Sequence, residues 1–141
     1  MSIPGVPGEG FKTVGQIVGT NEILFRAGQN GMAIAIELLS SHMSGAPVVD
    51  SNGKFIGFIS EFDLLAAVES GKDLPKVRAE EIMTKSPIAV HESTTIAEAV
   101  KMMKEKHLLN LPVEKGGKVA YSVTRHDLLR SLIGLGPDIE E

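Results

Sequence analysis

An internal repeat constrains the fold of this chain more than any other feature of its sequence. When the sequence is laid against itself at an offset of 65, Ile17 pairs with Ile82. One residue is lost at a later turn, after which an offset of 64 pairs Asp63 with Asp127. A period this long indicates two supersecondary units that stack, because neither can bury its apolar face well alone.

The chain of 141 residues has room for two small domains and not for a multidomain enzyme. We place the first domain, with an N-terminal extension, at residues 1–70, and the second, with the linker and a C-terminal tail, at residues 71–141. Hydrophobic residues make up 43% of the chain and charged residues 23%, as in globular proteins with a packed core.

Each half predicts the same order of elements: strand, helix, strand, strand and helix. In the second half, Ile96, Ala99, Val100 and Met103 recur at the spacing of one helix face. The predicted elements are strands 23–25, 47–49 and 55–59 with helices 32–42 and 62–68 in the first half, and strands 87–90, 111–113 and 119–123 with helices 96–103 and 126–132 in the second. The sequence therefore predicts an α/β (α+β) fold of two pseudo-symmetric β-α-β-β-α units packed through their sheets.

Composition excludes several classes of protein. A net charge of -4, with no Trp and 4% aromatic residues, argues against nucleic acid as a partner. The absence of cysteine excludes a disulfide scaffold, a thiolate metal site and a cysteine nucleophile. The sequence has neither the pattern of a signal peptide nor the run of ~18 apolar residues that a transmembrane helix requires. We therefore expect a cytoplasmic protein that does not bind membranes.

Short motifs recur in the same order in both halves. They are Gly45-Ala46-Pro47-Val48-Val49-Asp50 and Gly57-Phe58-Ile59-Ser60-Glu61-Phe62-Asp63 in the first half, and Ser86-Pro87, Asn110-Leu111-Pro112-Val113 and Thr124-Arg125-His126-Asp127 in the second. Each motif alone is weak, but the doubled order at matching spacing is specific. From about Thr13 to Ile133, the chain resembles the cystathionine β-synthase (CBS) domain family, in which two domains form a CBS pair or Bateman module.

The resemblance implies a non-catalytic regulatory module that senses an adenosine nucleotide, AMP, ADP or ATP, in clefts between the two repeats. It implies no catalytic cofactor and no metal. Family members of this kind form head-to-head or head-to-tail dimers, so the implied partners are a second copy of the chain and an unknown effector protein. The implied nucleotide-binding residues are Ile88, Leu111, Thr124, Arg125, His126 and Asp127 for the second motif, and Ile23, Ala46, Ser60 and Asp63 for the first.

The spacing Ser/Thr-x-x-Asp suits a nucleotide where a strand ends and a helix begins. Backbone N–H groups and the positive end of the helix dipole favour an anion there. The hydroxyl of Ser60 or Thr124 can donate to a phosphate oxygen. The carboxylate of Asp63 or Asp127 only accepts hydrogen bonds, which suits the two ribose hydroxyls. Adenine is then expected beside the apolar residues assigned above.

The same spacing is that of a capping box, in which the hydroxyl and the carboxylate only satisfy backbone donors of the helix. This alternative needs no ligand, although the two roles can coexist. It corresponds to a dimerisation or interaction module with degenerate ligand sites. The sequence contains no Gly-x-Ser-x-Gly elbow and no phosphate-binding Walker loop, so we do not expect an enzyme.

Three histidines are candidate functional residues. His42 and His107 follow equivalent helices, whose last turn favours either a residue that tolerates left-handed dihedral angles or a cation near the last carbonyls. We expect them to end their helices and not to bind metal, because no His, Asp or Glu cluster has ligand spacing. For His126, contact with a phosphate and simple exposure in the first helical turn both stay open.

The two motifs differ in charge and in shape. Arg125 follows the hydroxyl residue in the second motif and Glu61 does so in the first, so we expect the second site to bind a nucleotide more tightly. Gly57 either allows a ligand close to the backbone or marks a bulge, and Tyr121 takes its place in the second half.

The last helix of each half has a low-charge apolar face that one half is too small to cover, which predicts a homodimer. The residues of this face are Leu64, Leu65, Val68, Leu128, Leu129 and Leu132.

Overall fold

The computed structural model describes residues 12–17, 19–85 and 88–134, so the predicted Ser86-Pro87 motif lies outside the described residues. The described chain forms two compact units. The first-repeat unit holds residues 23–85 and 88 together with 117–119. The second-repeat unit holds the described residues up to 22 together with 89–116 and 120–134. The sequence division after residue 70 follows the repeat and stays a prediction.

The elements of each unit follow the predicted order, with short helices added. The first-repeat unit contains β1 (Phe25–Arg26), α1 (Gly31–Ser41), β2 (Gly45–Val49), β3 (Phe55–Ser60), α2 (Glu61–Glu69), a 3-10 helix (Leu74–Lys76) and α3 (Ala79–Ile82). The second-repeat unit contains a 3-10 helix (Val14–Gln16), β4 (Val90–His91), α4 (Ile96–Lys106), β5 (Asn110–Lys115), β6 (Lys118–Thr124) except for its first two residues, and α5 (Arg125–Leu132). No helix in the described ranges is long and apolar enough to cross a membrane.

Two three-stranded sheets, in the orders β1-β2-β3 and β4-β5-β6, confirm the mixed α+β fold. In each sheet the first strand pairs in parallel with the second, as Phe25 does with Val48 and Val90 with Val113. β2 and β3 pair antiparallel, with a register shift beside Gly57. Both first strands have two residues and begin later than predicted, because most of each apolar run precedes the paired residues.

The core of the first-repeat unit joins residues of its sheet to residues of α1. Phe25, Ile34, Leu38, Val48 and Ile59 are fully buried in one cluster. Ile34 and Leu38 are four residues apart on α1, so one helix stripe covers the sheet.

Polar caps fix the ends of the long helices. The Asn30 side chain accepts from the Ala33 N–H at the start of α1, and Thr95 accepts from the Glu98 N–H at the start of α4. His42 and His107 end these two helices with left-handed φ angles of 60° and 54°, which confirms their predicted capping role. The described residues hold no group of three or more His, Asp or Glu side chains placed to bind a metal ion.

The segment before each repeat packs in the unit of the other repeat. In the second-repeat unit, the N–H of Val14 donates to the Thr94 carbonyl and that of Gly15 to the Glu92 carbonyl, both at 2.9 Å. The Val14 side chain is completely buried there. Residues 13–17 are thus part of the unit that is otherwise built from the second repeat.

The linker makes the equivalent contacts in the first-repeat unit. The N–H of Ala79 donates to the Gln29 carbonyl at 2.8 Å, and that of Glu80 to the Ala27 carbonyl at 3.0 Å. Each of these four residues lies 65 positions from its counterpart in the other unit. The two units therefore form the same backbone hydrogen bonds at equivalent positions of the repeat.

A glycine packs closely against a large side chain in each unit. A Cβ on Gly57 would meet the Met83 side chain and lie 2.9 Å from the Thr84 carbonyl oxygen. A Cβ on Gly19 would meet the ring of Tyr121, the residue that replaces Gly57 in the second repeat. The glycine is thus on the third strand in one unit, and the large side chain is at the equivalent strand position in the other. The space beside Gly57 is filled by the Met83 side chain. Gly57 also lies beside a register shift in the β2–β3 pairing, which agrees with the bulge alternative.

The prediction that Leu64 and Leu128 belong to an uncovered apolar face is wrong. These two side chains are 7% and 3% exposed, because they pack inside their own units. The other four residues of the face, Leu65, Val68, Leu129 and Leu132, are between 54% and 61% exposed.

We expect Gly57→Ala to lower the free energy of unfolding by ~1–3 kcal/mol, because the added methyl group overpacks the site against a backbone carbonyl. Gly28→Ala is the matched control, since no atom lies within 4 Å of its added Cβ, and it should change stability by no more than ~0.5 kcal/mol. Urea unfolding of both variants measures the difference. Equal losses would contradict the close packing at Gly57.

Candidate functional site

The Thr124-x-x-Asp127 motif lies where β6 ends and α5 begins, as predicted. Thr124 is the N-cap of α5, and its hydroxyl oxygen accepts from the Asp127 N–H at 3.0 Å. The Asp127 Oδ2 atom in turn accepts from the Thr124 N–H at 2.9 Å. The capping box is therefore present. No described residue accepts the hydroxyl proton of Thr124, so that proton is available to a ligand.

A third residue, which sequence analysis missed, holds the Asp127 carboxylate. The backbone N–H and the hydroxyl of Thr20 both donate to Asp127 Oδ2, each at 3.2 Å. Asp127 is only 5% exposed, and no described residue donates to its Oδ1 atom. One oxygen thus receives three hydrogen bonds that orient the carboxylate, and the other keeps its lone pairs for a further donor.

The Ser60-x-x-Asp63 motif forms the same box in the first-repeat unit, but its polar groups are used more fully. The Ser60 N–H donates to Asp63 Oδ2 at 2.8 Å, and the Ser60 hydroxyl also lies 3.2 Å from that oxygen. The Thr84 hydroxyl lies 3.5 Å from Asp63 Oδ1. Both carboxylate oxygens therefore have partners within the unit. This unit offers a nucleotide fewer open groups than the second-repeat unit does.

The helix N-termini are weaker anion sites than the sequence predicts. The N–H of Arg125 donates to the Leu109 carbonyl, and the N–H of Asp127 is used by Thr124. Among the first three residues of α5, this leaves at most the N–H of His126 for an anion. The side chains of Arg125 and His126 are exposed in this first turn. An anion at α5 would thus rely on side chains and on the Thr124 hydroxyl.

The apolar residues assigned to the base lie in or beside the sheets. Leu111 in β5 and Ala46 in β2 are completely buried. Ile23 is half-buried and packs against the same core cluster as Ala46. Ile88 is half-buried and belongs to the first-repeat unit, whereas Leu111 belongs to the second. Within single units, the structure brings together the hydroxyl and the carboxylate of each motif, and Ile23 with Ala46.

Tyr121 helps to fix the segment that carries Thr20. Its hydroxyl lies 2.9 Å from the Val14 carbonyl oxygen and 3.0 Å from that of Ile17. Burial raises the pKa of Tyr121, and the negative charges of Glu92 and Asp127 act in the same direction. The neutral phenol is the form that can donate to a carbonyl, so this contact requires the proton that burial helps to retain.

The sequence matches the CBS domain model over residues 14–70 and 79–134. The chain therefore belongs to the CBS domain family, with two copies of the domain. It is 32% identical over 131 residues to MK0525 of Methanopyrus kandleri, covering 92% of this chain and 67% of that one. It spans only 23% of another relative, MJ1404 of Methanocaldococcus jannaschii, to which it is 29% identical over 97 residues.

Two similar solved structures contain adenosyl ligands. The structure of CBSX2 in complex with AMP has a TM-score of 0.75 and 26% sequence identity, covering 88% of this chain and 97% of that one. The CBS domain pair of MJ0100, in complex with 5'-methylthioadenosine and S-adenosyl-L-methionine, has a TM-score of 0.76 and 26% identity, covering 88% and 98%. Relatives of this fold thus bind AMP and related nucleosides.

We expect the phenol of Tyr121 to titrate above its ordinary pKa of 10.0 in the folded protein. Because the folded-state pKa is raised, the stabilisation is fully present below pH ~10 and is lost as the pH rises through the folded-state pKa. Tyr121 is the only tyrosine of the chain, so phenolate absorbance reports on it alone. Unfolding in urea should return the midpoint to its ordinary value. A folded-state midpoint at or below that value would contradict the proposed effect of burial.

Proposed function

We propose that this protein is a non-catalytic regulatory module of the cytoplasm, and that its second-repeat unit binds an adenosine nucleotide of the AMP, ADP or ATP class. The observation that carries the proposal is the Asp127 carboxylate, buried and oriented through Oδ2 while Oδ1 has no donor among the described residues. A ribose supplies two adjacent hydroxyl donors to such an acceptor. The adenosyl ligands of CBSX2 and MJ0100 support the choice of nucleoside.

The neighbouring side chains suit the phosphate. The hydroxyl of Thr124 has a proton to donate, and Arg125 adds a cation in the first turn of α5. His126 lies beside them, and we assign it a contact with the same phosphate. In the first-repeat unit, Glu61 takes the place of Arg125, and the groups of Ser60 and Asp63 already have partners.

The second candidate function is an interaction module with degenerate sites, and the first-repeat unit favours it for its own motif. There, the capping box and Thr84 occupy the polar groups that a nucleotide would need. We therefore propose one effective nucleotide site in each chain, in the second-repeat unit. Ile23 and Ala46 then serve the core of their unit more than a ligand.

AMP, ADP or ATP should raise the melting temperature of the protein, because a ligand that binds only the folded state stabilises it. At a concentration a hundredfold above the dissociation constant, the stabilisation is ~2.7 kcal/mol, which corresponds to several degrees in a chain of this size. Thermal unfolding with and without millimolar nucleotide measures it. If no adenosyl compound produces a shift, the interaction module with degenerate sites is the better interpretation.

Asp127→Asn should weaken nucleotide binding by ~1.5–3 kcal/mol, or roughly tenfold to a hundredfold, since the amide group that replaces Oδ1 cannot accept from the ribose. The amide oxygen can still cap α5, so this variant preserves more of the fold than alanine would. Asp63→Asn is the matched control and should leave the main binding event nearly unchanged. Titration calorimetry compares the two, and equal affinity for Asp127→Asn and the parent would remove Asp127 from the site.

We also propose a homodimer formed through the exposed apolar residues of α2 and α5, Leu65, Val68, Leu129 and Leu132. Light scattering at micromolar concentration should return twice the chain mass of 15.0 kDa. Leu65→Lys combined with Leu129→Lys should shift the protein toward the monomer, because charges would enter the contact. Leu24→Lys, which alters an exposed leucine outside these helices, is the control. A monomeric parent would refute the dimer without affecting the nucleotide site.

A further inference from the structure

The two long helices of the first-repeat unit expose apolar side chains to solvent. On α1, Met32, Ile36 and Leu39 follow one another at spacings of four and three residues, so they share one side of the helix. Ile36 and Leu39 are 57% and 67% exposed. The neighbouring helix α2 packs beside α1 and exposes Leu65 and Val68. We call these five residues the first-repeat face, and an exposed apolar surface of this kind marks an interaction site.

The equivalent positions on α4 of the second-repeat unit are basic. At the repeat offset of 65, Lys101 and Lys104 take the places of Ile36 and Leu39. Both lysine side chains are exposed, and neither forms an ion pair with another described residue. The fold therefore does not require apolar residues at positions 36 and 39, and their exposure on α1 needs another explanation.

The exposed apolar residues of the last helices are nearly the same in both units. At the repeat offset of 64, Leu129 and Leu132 of α5 take the places of Leu65 and Val68 of α2. These four side chains do not determine which helices meet in a dimer, because either pairing buries the same apolar residues. The residues around them decide. We call the equivalent surface of the other unit the second-repeat face, and its residues are Lys101, Lys104, Leu129 and Leu132.

Charge distinguishes the helices that carry the two faces. Helices α1 and α2 contain four acidic residues and no Lys or Arg. Helices α4 and α5 contain five basic and three acidic residues. Glu37 on α1, and Glu61 and Glu69 at the two ends of α2, are exposed and form no ion pair with a described residue. Acidic groups on one face and basic groups on the other are therefore available to a partner of opposite charge.

A second copy of the chain can meet these faces in two ways. If like faces meet, Glu37 approaches acidic helices and the lysines approach lysines, and like charges in an interface oppose the contact. If unlike faces meet, Lys101 and Lys104 approach the acidic helices. A lysine side chain also lays its apolar stem along apolar surface while its ammonium group stays in water. The two stems can thus cover Ile36 and Leu39 while the ammonium groups lie near carboxylates.

We propose that the homodimer is head-to-tail, with the first-repeat face of one chain packed on the second-repeat face of the other. This inference rests on the proposed homodimer and is independent of the nucleotide site. Each chain has one face of each kind, so the contact can form twice in a dimer with two-fold symmetry. The exposed apolar side of α1 then has an occupant of complementary charge, supplied by a second copy of the same chain.

Neutralising the two lysines tests the orientation, because the two pairings predict changes of opposite sign. When unlike faces meet, Lys101→Gln combined with Lys104→Gln removes an attraction. The dissociation constant of the dimer should then rise about two- to thirtyfold, the range for two partly exposed ion pairs. When like faces meet, the same variant removes a repulsion and the constant falls. Analytical ultracentrifugation over a dilution series measures the constant.

A matched control separates the local effect from the change in net charge. Lys54→Gln combined with Lys72→Gln alters two exposed lysines that lie outside these four helices. The net charge changes by the same amount, and the dissociation constant should stay within about twofold of that of the parent. Since all four lysines are exposed, both variants should keep the stability of the parent.

Salt provides a second measurement on the same proteins. Raising NaCl from about 50 mM to about 500 mM screens exposed charges, so the dimer of the parent should weaken and that of the Lys101→Gln, Lys104→Gln variant should weaken less. A dissociation constant that falls or stays unchanged in this variant overturns the head-to-tail orientation and leaves the homodimer standing. A monomeric parent refutes the homodimer and this inference together, and the nucleotide site is unaffected.

Discussion

Backbone pairing across the sequence repeat is the constraint on which both units depend. The N–H groups of residues 14–15 bond to carbonyls of residues 92 and 94, and those of residues 79–80 bond to carbonyls of residues 27 and 29. Each unit is therefore completed by the segment that precedes the other repeat in the sequence. Val14 and Ala79 are fully buried at these contacts, so a repeat cut out of the chain would lose apolar burial as well as hydrogen bonds. Because each unit includes the segment that precedes the other repeat, the two repeats fold in a coupled way.

The sequence was most informative where interactions are local. Apolar spacing of three and four residues predicted α4, and the repeat extended the prediction to α1. The equivalent positions of His42 and His107 predicted residues that end these helices, and the left-handed cap was one of the two reasons offered. The first strands were predicted less well, because an apolar run shows that residues are buried and not which of them pair in a sheet. Short helices such as Ala79–Ile82 were missed, since four residues are too few to show a period.

The candidate site shows the same division between local and distant interactions. The hydroxyl and carboxylate of Thr124 and Asp127 lie three residues apart, so their hydrogen bonds follow from the sequence spacing. Thr20 contacts Asp127 across 107 residues, and no periodicity indicates such a contact.

Helix capping and ligand binding are two roles that the doubled motif can combine, and the carboxylate geometry shows how. A carboxylate has two oxygens and about four acceptor positions, of which a capping box uses one oxygen. In Asp127, the cap and Thr20 share Oδ2, so a ligand at Oδ1 would leave the cap of α5 intact. In Asp63, the Thr84 hydroxyl already lies near Oδ1, and a ligand would have to displace it. The same cap can therefore orient a binding group in one unit and serve only stability in the other, with the second oxygen deciding between them.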